Sequence, residues 1–485
     1  MPLISRRNFV QQATVSASLF YKFPFNFTKA IGQIGDKSPT VDAASIRKLA
    51  SKITGYVITP EASDYEAARQ VNNHAYDRHP AVIVRCASSA DVATTLDFGR
   101  KQNLPIAVRC GGHSSAGFGV CDGGVMIDLA GMRRVEVDIQ KRVVRAEAGC
   151  LAVHVDQATQ RFGLATIMGG CPTVGIGGLT LGGGIGTLMP KYGATCDNVQ
   201  AAEIVTVDSM QLEVGQNSSP ELFWAIRGGG GNFGVVTSFQ YRLYPVTEVL
   251  AGALEYPPGR ISELLQMYQK FTATAPDEVM LVAMIVSAEQ GPKFVIRFRY
   301  CGEPTRGNQL LKALREPIKP EVDMVRVMSY LEAQATEFPQ PPKPVSYLET
   351  SLFVADLNES VIEAITTAIQ DAPPRMRVMM WHMHGAVTRV PVAETAFPLR
   401  ESGHVLQLRG DWDPPEKEAS AKQWTKALRG VLDRFSRGMY VNHLSEPSDV
   451  CIRAAFGPNY RRLAEIKRKY DPTNVLMLNP NIKPA

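Results

Sequence analysis

A chain of 485 residues is long enough for about three domains of roughly 150 residues each, or for one large domain with an insertion. With 45% hydrophobic and 20% charged residues, and a net charge of +5 from 52 cationic against 47 anionic side chains, its composition is ordinarily globular and implies no nucleic-acid partner. The eight cysteines (Cys86, Cys110, Cys121, Cys150, Cys171, Cys196, Cys301, Cys451) form no Cys-x-x-Cys pair, which argues against a zinc ribbon and against a dense disulfide framework.

At the N-terminus, Ser5-Arg6-Arg7-Asn8-Phe9-Val10 resembles a twin-arginine export motif, and no charge occurs from Asn8 to Tyr21. Residues 1–42 are expected to be an export signal and linker, giving a periplasmic or secreted protein. The alternative is a cytoplasmic one, because Gln11 and Gln12 interrupt the apolar run and no clear Ala-x-Ala cleavage site follows. No apolar run reaches the roughly 18 residues of a membrane span.

Ala81-Val82-Ile83-Val84 reads as a buried strand, Ser89 to Arg100 as a helix opened by Ser88, Ser89 and Asp91, and Ile106-Ala107-Val108 as a second strand, together a βαβ unit. Short strands are expected at Val125–Leu129, Val135–Asp138 and Val143–Ala146, with a hairpin at Gln140-Lys141. From Gly169 to Gly186 glycine is too frequent for a continuous helix, which predicts looping backbone wrapped closely on something. Val235–Leu243 alternates as a strand closed by Pro245. From Thr247 to Arg437 the character changes: helices at Ile261–Phe271 and Ser360–Ile369, strands at Lys293–Tyr300 and Val405–Arg409, and a proline-rich connection at Pro339–Pro344 suggest a second domain, a sheet backed by helices.

The most telling pair is His113, in Arg109-Cys110-Gly111-Gly112-His113-Ser114, and Cys171, in Gly169-Gly170-Cys171-Pro172-Thr173-Val174-Gly175. Both carry nucleophilic atoms on backbone almost bare of side chains, which suits attachment of a large flat cofactor lying against the main chain. Rival motifs are weaker. Gly229–Gly234 satisfies G-x-G-x-x-G, but a strand follows it where a dinucleotide fold needs a helix. Gly112–Ala116 nearly matches the nucleophile elbow of a serine hydrolase with Ser114 as nucleophile, yet Gly117-Phe118-Gly119 is a poor helix start. His382 and His384 share a strand face without an acid or thiol to complete a metal site, and no metal is expected.

From about Ala43 onward the chain resembles the berberine bridge enzyme-like oxidoreductases of the vanillyl-alcohol oxidase class. The resemblance rests on Arg109–Ser114, Gly169–Gly178, Leu222–Gly234, and a C-terminal series of Tyr440-Val441-Asn442, Phe456–Leu463, Lys467 and Asp471–Val475. It implies an α+β fold: a two-subdomain FAD-binding domain of the vanillyl-alcohol oxidase (PCMH) type over residues 43–246, and a substrate domain of antiparallel sheet backed by helices over 247–437. Residues 438–485 would return to pack on the FAD domain.

The resemblance further implies bicovalent FAD, with His113 bonded to the flavin 8α carbon and Cys171 to C6. Arg109, Gly111, Gly112, Ser114, Val174, Gly175, Gly177, Gly178, Val236, Asn442 and Asn479 would contribute to its binding. The catalytic base is expected to be Tyr440, in a Tyr-x-Asn stretch, with a pKa lowered by its neighbours. Other members use a glutamate on the strand after a Phe-Pro-His-Arg-like motif; here Phe397-Pro398-Leu399-Arg400 precedes Val405–Arg409, which holds Gln407 and no acid. Val174 matches a position where a small residue leaves room for O2. The expected activity is oxidation of an alcohol, on a sugar or oligosaccharide or on a secondary metabolite, with hydride transfer to flavin, O2 as acceptor and hydrogen peroxide as product. Trp381, His382, His384 and Arg409 are expected to line the substrate site. The alternatives are a serine hydrolase using Ser114 and a flavin-loaded binding protein without turnover.

Overall fold

The computed structural model describes residues 41–337 and 345–485; the twin-arginine motif, nearly all of the expected signal and linker, and the proline-rich connection lie outside the described residues. Among the described residues no helix is long and apolar enough to cross a membrane.

Val82–Arg85 is buried on both faces, as a strand covered on two sides must be. The following helix, Ser89–Lys101, starts where the Ser88 side chain accepts the Asp91 N–H at 3.3 Å and ends before Asn103, which turns the chain out at φ 53°. The expected βαβ strands are not neighbours. Val125–Asp128 lies between Val82–Arg85 and Ile106–Arg109 and is parallel to both, and Tyr56–Ile58 completes a four-stranded sheet. Beside it stands a five-stranded antiparallel sheet in the order Val135–Asp138, Val143–Glu147, Val235–Arg242, Val199–Val205, Gln211–Gly215. The two sheets share one hydrophobic core. Gly169–Gly186 holds no continuous helix, as expected, but within the looping backbone Ile176–Leu181 forms a short one, its Ile176 and Thr180 fully buried. Tertiary packing there outweighs a glycine penalty of about 1 kcal/mol per residue.

After Pro245 the chain builds a large antiparallel sheet whose central order is Glu248–Tyr256, Lys293–Tyr300, Val279–Val286, Met376–Met383, Gly403–Trp412, Ser346–Val354. Helices Ile261–Thr272, Pro304–Arg315, Glu359–Gln370 and Glu418–Leu432 cover one face through a core of their own. The other face meets the N-terminal sheets through a third cluster that includes Ile185, Phe353, Trp381, Phe397 and Tyr440.

The C-terminal helices Asp449–Phe456 and Tyr460–Tyr470 bury Ile452, Phe456, Leu463 and Ile466 in the core of the N-terminal sheets. A fully buried ion pair fixes the return: Lys467 Nζ donates to Asp471 Oδ2 at 2.6 Å, to the Asn232 carbonyl at 2.9 Å and to the Leu476 carbonyl at 3.0 Å. Removing one partner strands the other in a site without water. Lys467→Met is therefore expected to cost about 3–5 kcal/mol of stability, read as a lower denaturant midpoint at unchanged slope.

Candidate functional site

Two glycine turns meet back to back. A Cβ on Gly111 would stand 2.4 Å from the Gly175 nitrogen, and one on Gly175 would stand 2.3 Å from the Gly111 nitrogen. Only bare backbone can approach so closely, and this contact brings His113 and Cys171 together. His113 Nε2 is 3.0 Å and Cys171 Sγ 3.3 Å from the same hydroxyl, Thr173 Oγ1, a residue the sequence reading passed over.

The pair lies on the wall of a cavity of about 930 Å³ between the N-terminal sheets and the large sheet. All fourteen residues expected to bind the flavin or act as base, from Arg109 to Asn479, line it. Burial, helped by the positive charge of Arg409, holds the His113 imidazolium down to about 4, so the ring is neutral at physiological pH. Of the eight cysteines only Cys110 shares the cavity with Cys171, and its thiol is turned to the Ala148 carbonyl while burial pushes it up to about 11.

Around the pair the wall is prepared. Arg109 is held by Asp128, Nη2 to Oδ2 at 2.9 Å, and by the Gln70 carbonyl at 3.0 Å. Gly178 and Gly231 both line the cavity, and a Cβ on either would meet nothing within 4 Å, so both leave open space beside the main chain. Asn479 Nδ2 donates to the Gly231 carbonyl at 3.3 Å. A neutral imidazole, a thiol and bare glycine backbone in one elongated cavity fit a cofactor that is both flat and long, as FAD is.

Tyr440 is buried, and its Oη accepts the Ile185 N–H at 3.3 Å and the Asn442 amide at 3.0 Å. Those two donors favour the phenolate, but burial outweighs them and pushes the group up to about 12, against the expectation of a lowered value.

The strand with Gln407 extends to Trp412 and so holds an acid after all, Asp411, which pairs with Arg409 and Arg377, and a second acid stands on the neighbouring strand. Glu349, buried, accepts Ser115 Oγ at 2.8 Å and Gln407 Nε2 at 2.7 Å, and Trp381 Nε1 donates to Gln407 Oε1 at 3.3 Å. A lone acid in the apolar stretch Tyr347–Val354 was the available signal. Arg409 and Trp381 line the cavity as expected; His382 and His384 do not. Alternation along Met376–Met383 turns Trp381 inward and His382 to the helix side, where it stacks on His384 at 4.0 Å and His404 at 5.2 Å, with Tyr268 beyond. Arg400 is also structural, paired with Asp197 at 2.7 Å.

The rival motifs find no support in the geometry. Gly229–Gly234 follows the helix Pro220–Ile226 and leads into a strand. Ser114 is followed by turns, and its Oγ accepts the Phe118 N–H at 3.3 Å.

Comparison with known proteins agrees with this geometry. Residues 80–215 match the model of the FAD binding domain and residues 439–483 that of berberine and berberine-like proteins. An FAD-linked oxidoreductase of Bacillus subtilis is 30% identical over 448 residues, covering 90% of this chain and 98% of the relative. A carbohydrate oxidase of Microdochium nivale is 25% identical over 463 residues, covering 88% of this chain and 92% of its own. The crystal structure of 6-hydroxy-D-nicotine oxidase from Arthrobacter nicotinovorans superposes with a TM-score of 0.82 at 29% identity, covering 89% of this chain and 98% of that one. The fold is thus α+β of the PCMH type, the cofactor is FAD, and the chain belongs to the berberine bridge enzyme-like FAD-linked oxidoreductases.

Proposed function

We propose that the chain is an oxidase of an alcohol group on a sugar, an oligosaccharide or a secondary metabolite, using O2 and releasing hydrogen peroxide, with FAD bonded at 8α by His113 and at C6 by Cys171. The observation that carries this reading is a neutral imidazole and a thiol sharing one threonine hydroxyl on the wall of a glycine-lined cavity that also takes in Tyr440. FAD, when bound, supplies a two-electron acceptor for hydride from carbon. Arg109, Gly111, Gly112, Ser114, Val174, Gly175, Gly177, Gly178, Val236, Asn442 and Asn479 hold it in place beside the two anchors. Residues 43–246 form the FAD-binding domain, 247–437 the substrate domain and 438–485 the returning segment, with export through residues 1–42.

Tyr440 takes the proton of the reacting hydroxyl at Oη. The phenolate that accepts this proton is held beforehand by two fixed donors, the Ile185 N–H and the Asn442 amide, and becomes the neutral phenol as the proton arrives. The name of the carbohydrate oxidase favours sugars among the substrate classes. Peroxide release from a panel of sugars and phenolic alcohols tests the proposal; an FAD-loaded protein silent on every alcohol would refute it. Val174 stands between the Cys171 carbonyl, which accepts its N–H at 3.2 Å, and the Ala152 N–H, which donates to its carbonyl at 2.9 Å. Its side chain is the smallest β-branched apolar one, so Val174→Ile is expected to slow reoxidation of reduced enzyme by about tenfold or more in stopped flow, ~1.4 kcal/mol on the barrier. Equal rates would place O2 elsewhere.

A further inference from the structure

The sheet face turned toward the cavity carries most of its charges in two adjacent cross-strand rows, with Arg297 standing apart on the strand Lys293–Tyr300. One runs from Arg375 through Asp411 to Tyr347, and the next from Arg377 through Arg409 to Glu349. All six residues line the cavity. The rows that follow, Met379–Gln407–Ser351 and Trp381–Val405–Phe353, lead to Tyr440, whose N–H donates to Ser351 Oγ at 3.0 Å. Along the strands that carry Trp381, Gln407 and Glu349 the charges therefore give way to uncharged residues toward Tyr440, while Arg297 adds a cation across the sheet, beyond Val282 from Trp381.

Within the two rows three guanidinium groups face two carboxylates, and both carboxylates are taken. Asp411 accepts from Arg377 and from Arg409 Nε at 2.6 Å, while Glu349 accepts from Ser115 and Gln407 and lies 3.7 Å from Arg409 Nη1. Arg409 is further held over the Tyr347 ring at 3.6 Å. Arg375 has no acidic partner among the described residues, although it lines the cavity and is not fully exposed. Its backbone is held in the left-handed region at φ 74°, where long side chains are uncommon. Three hydrogen bonds fix that conformation: its N–H donates to the Ser287 carbonyl at 3.0 Å, the Asp411 N–H donates to its carbonyl at 3.4 Å, and the Met376 N–H donates to Ser287 Oγ at 2.9 Å. Such a conformation persists where the surroundings over-determine it, and it clusters at ligand sites.

We propose that the substrate is a hydroxy acid, its carboxylate bound by Arg375 and Arg377 and its alcohol lying toward Tyr440 across Met379 and Trp381. This rests on the oxidase reading above. A neutral alcohol filling the cavity would strip water from Arg375 without replacing it, whereas a carboxylate supplies a charge-assisted, two-pronged partner.

The test uses the FAD-loaded enzyme and reads binding through the flavin absorbance difference spectrum, with benzoate and benzamide as probes that cannot be oxidised. Benzoate is expected to bind at least ~10-fold more tightly than benzamide, an advantage that shrinks with added salt and falls to about 2-fold or less in Arg375→Gln. Arg375→Gly, which suits the left-handed backbone, should lose it equally and guards against a folding defect. Equal binding of the two probes by the wild type, or an unchanged ratio in a folded Arg375 variant, overturns the proposal. Turnover of glucuronate against its methyl ester is measured separately. Absence of peroxide from every alcohol would sink the oxidase reading, while the probe ratio still decides the substrate charge.

Discussion

Replacing His113 with alanine is expected to leave the flavin attached through Cys171 alone, and adding Cys171→Ala to yield protein whose FAD is released completely on acid precipitation. Each nucleophile contacts Thr173 on its own, so loss of one does not remove the other's support. Intact-mass measurement of the three variants reads the result, and flavin still bonded to the double variant would refute the assignment. The pH dependence of attachment to apoprotein follows from the same geometry. Imidazole is the nucleophile only when neutral, and burial beside Arg409 brings the His113 pKa down to about 4 from an ordinary 6.5. The competent form is thus nearly complete down to about pH 5, and attachment by Cys171→Ala protein should be flat from about pH 8 to 5 and fall only near pH 4. A loss already at pH 6.5 would mean that His113 is solvated.

The anchors were legible because glycine carries its reason with it. Gly111 and Gly175 can be nothing else when their backbones touch, so the motif reports a contact between segments some sixty residues apart. The helix Ser89–Lys101 was legible for a similar reason, its cap being local. Glu349 was not, because its importance comes from register: only pairing of Ser346–Val354 with Gly403–Trp412 sets it beside Gln407, and nothing within either segment specifies that partner. The lining residues show the limit of local reasoning from the other side. Trp381 and His382 were expected together at the substrate, although strand alternation forbids adjacent residues from sharing a face. The insertion of Val125–Asp128 between the two earlier strands is likewise a matter of chain path, which a run of apolar residues does not encode.

Tyr440→Phe is expected to lower kcat by about 10²–10⁴-fold while flavin content and attachment stay at the wild-type level, since the ring keeps its packing against Phe397 and His443 and loses only Oη. The pH profile separates a base from a packing role. With burial pushing the phenol up to about 12, the proton-accepting form is scarce at neutral pH and grows about tenfold per pH unit, so kcat/KM of the wild type should climb with pH across the stable range. The Phe variant should have no such slope. Asn442→Ala removes one of the two donors that favour the charged form, and it should lower the rate at each pH without flattening the climb. Glu349 supplies the decisive contrast: it is a carboxylate on the cavity wall beside the row that leads to Tyr440, and Glu349→Gln keeps its shape and its contact with Ser115. If Tyr440 receives the proton, that variant retains the rising profile; a profile that Glu349→Gln flattens and Tyr440→Phe does not would transfer the role to the carboxylate.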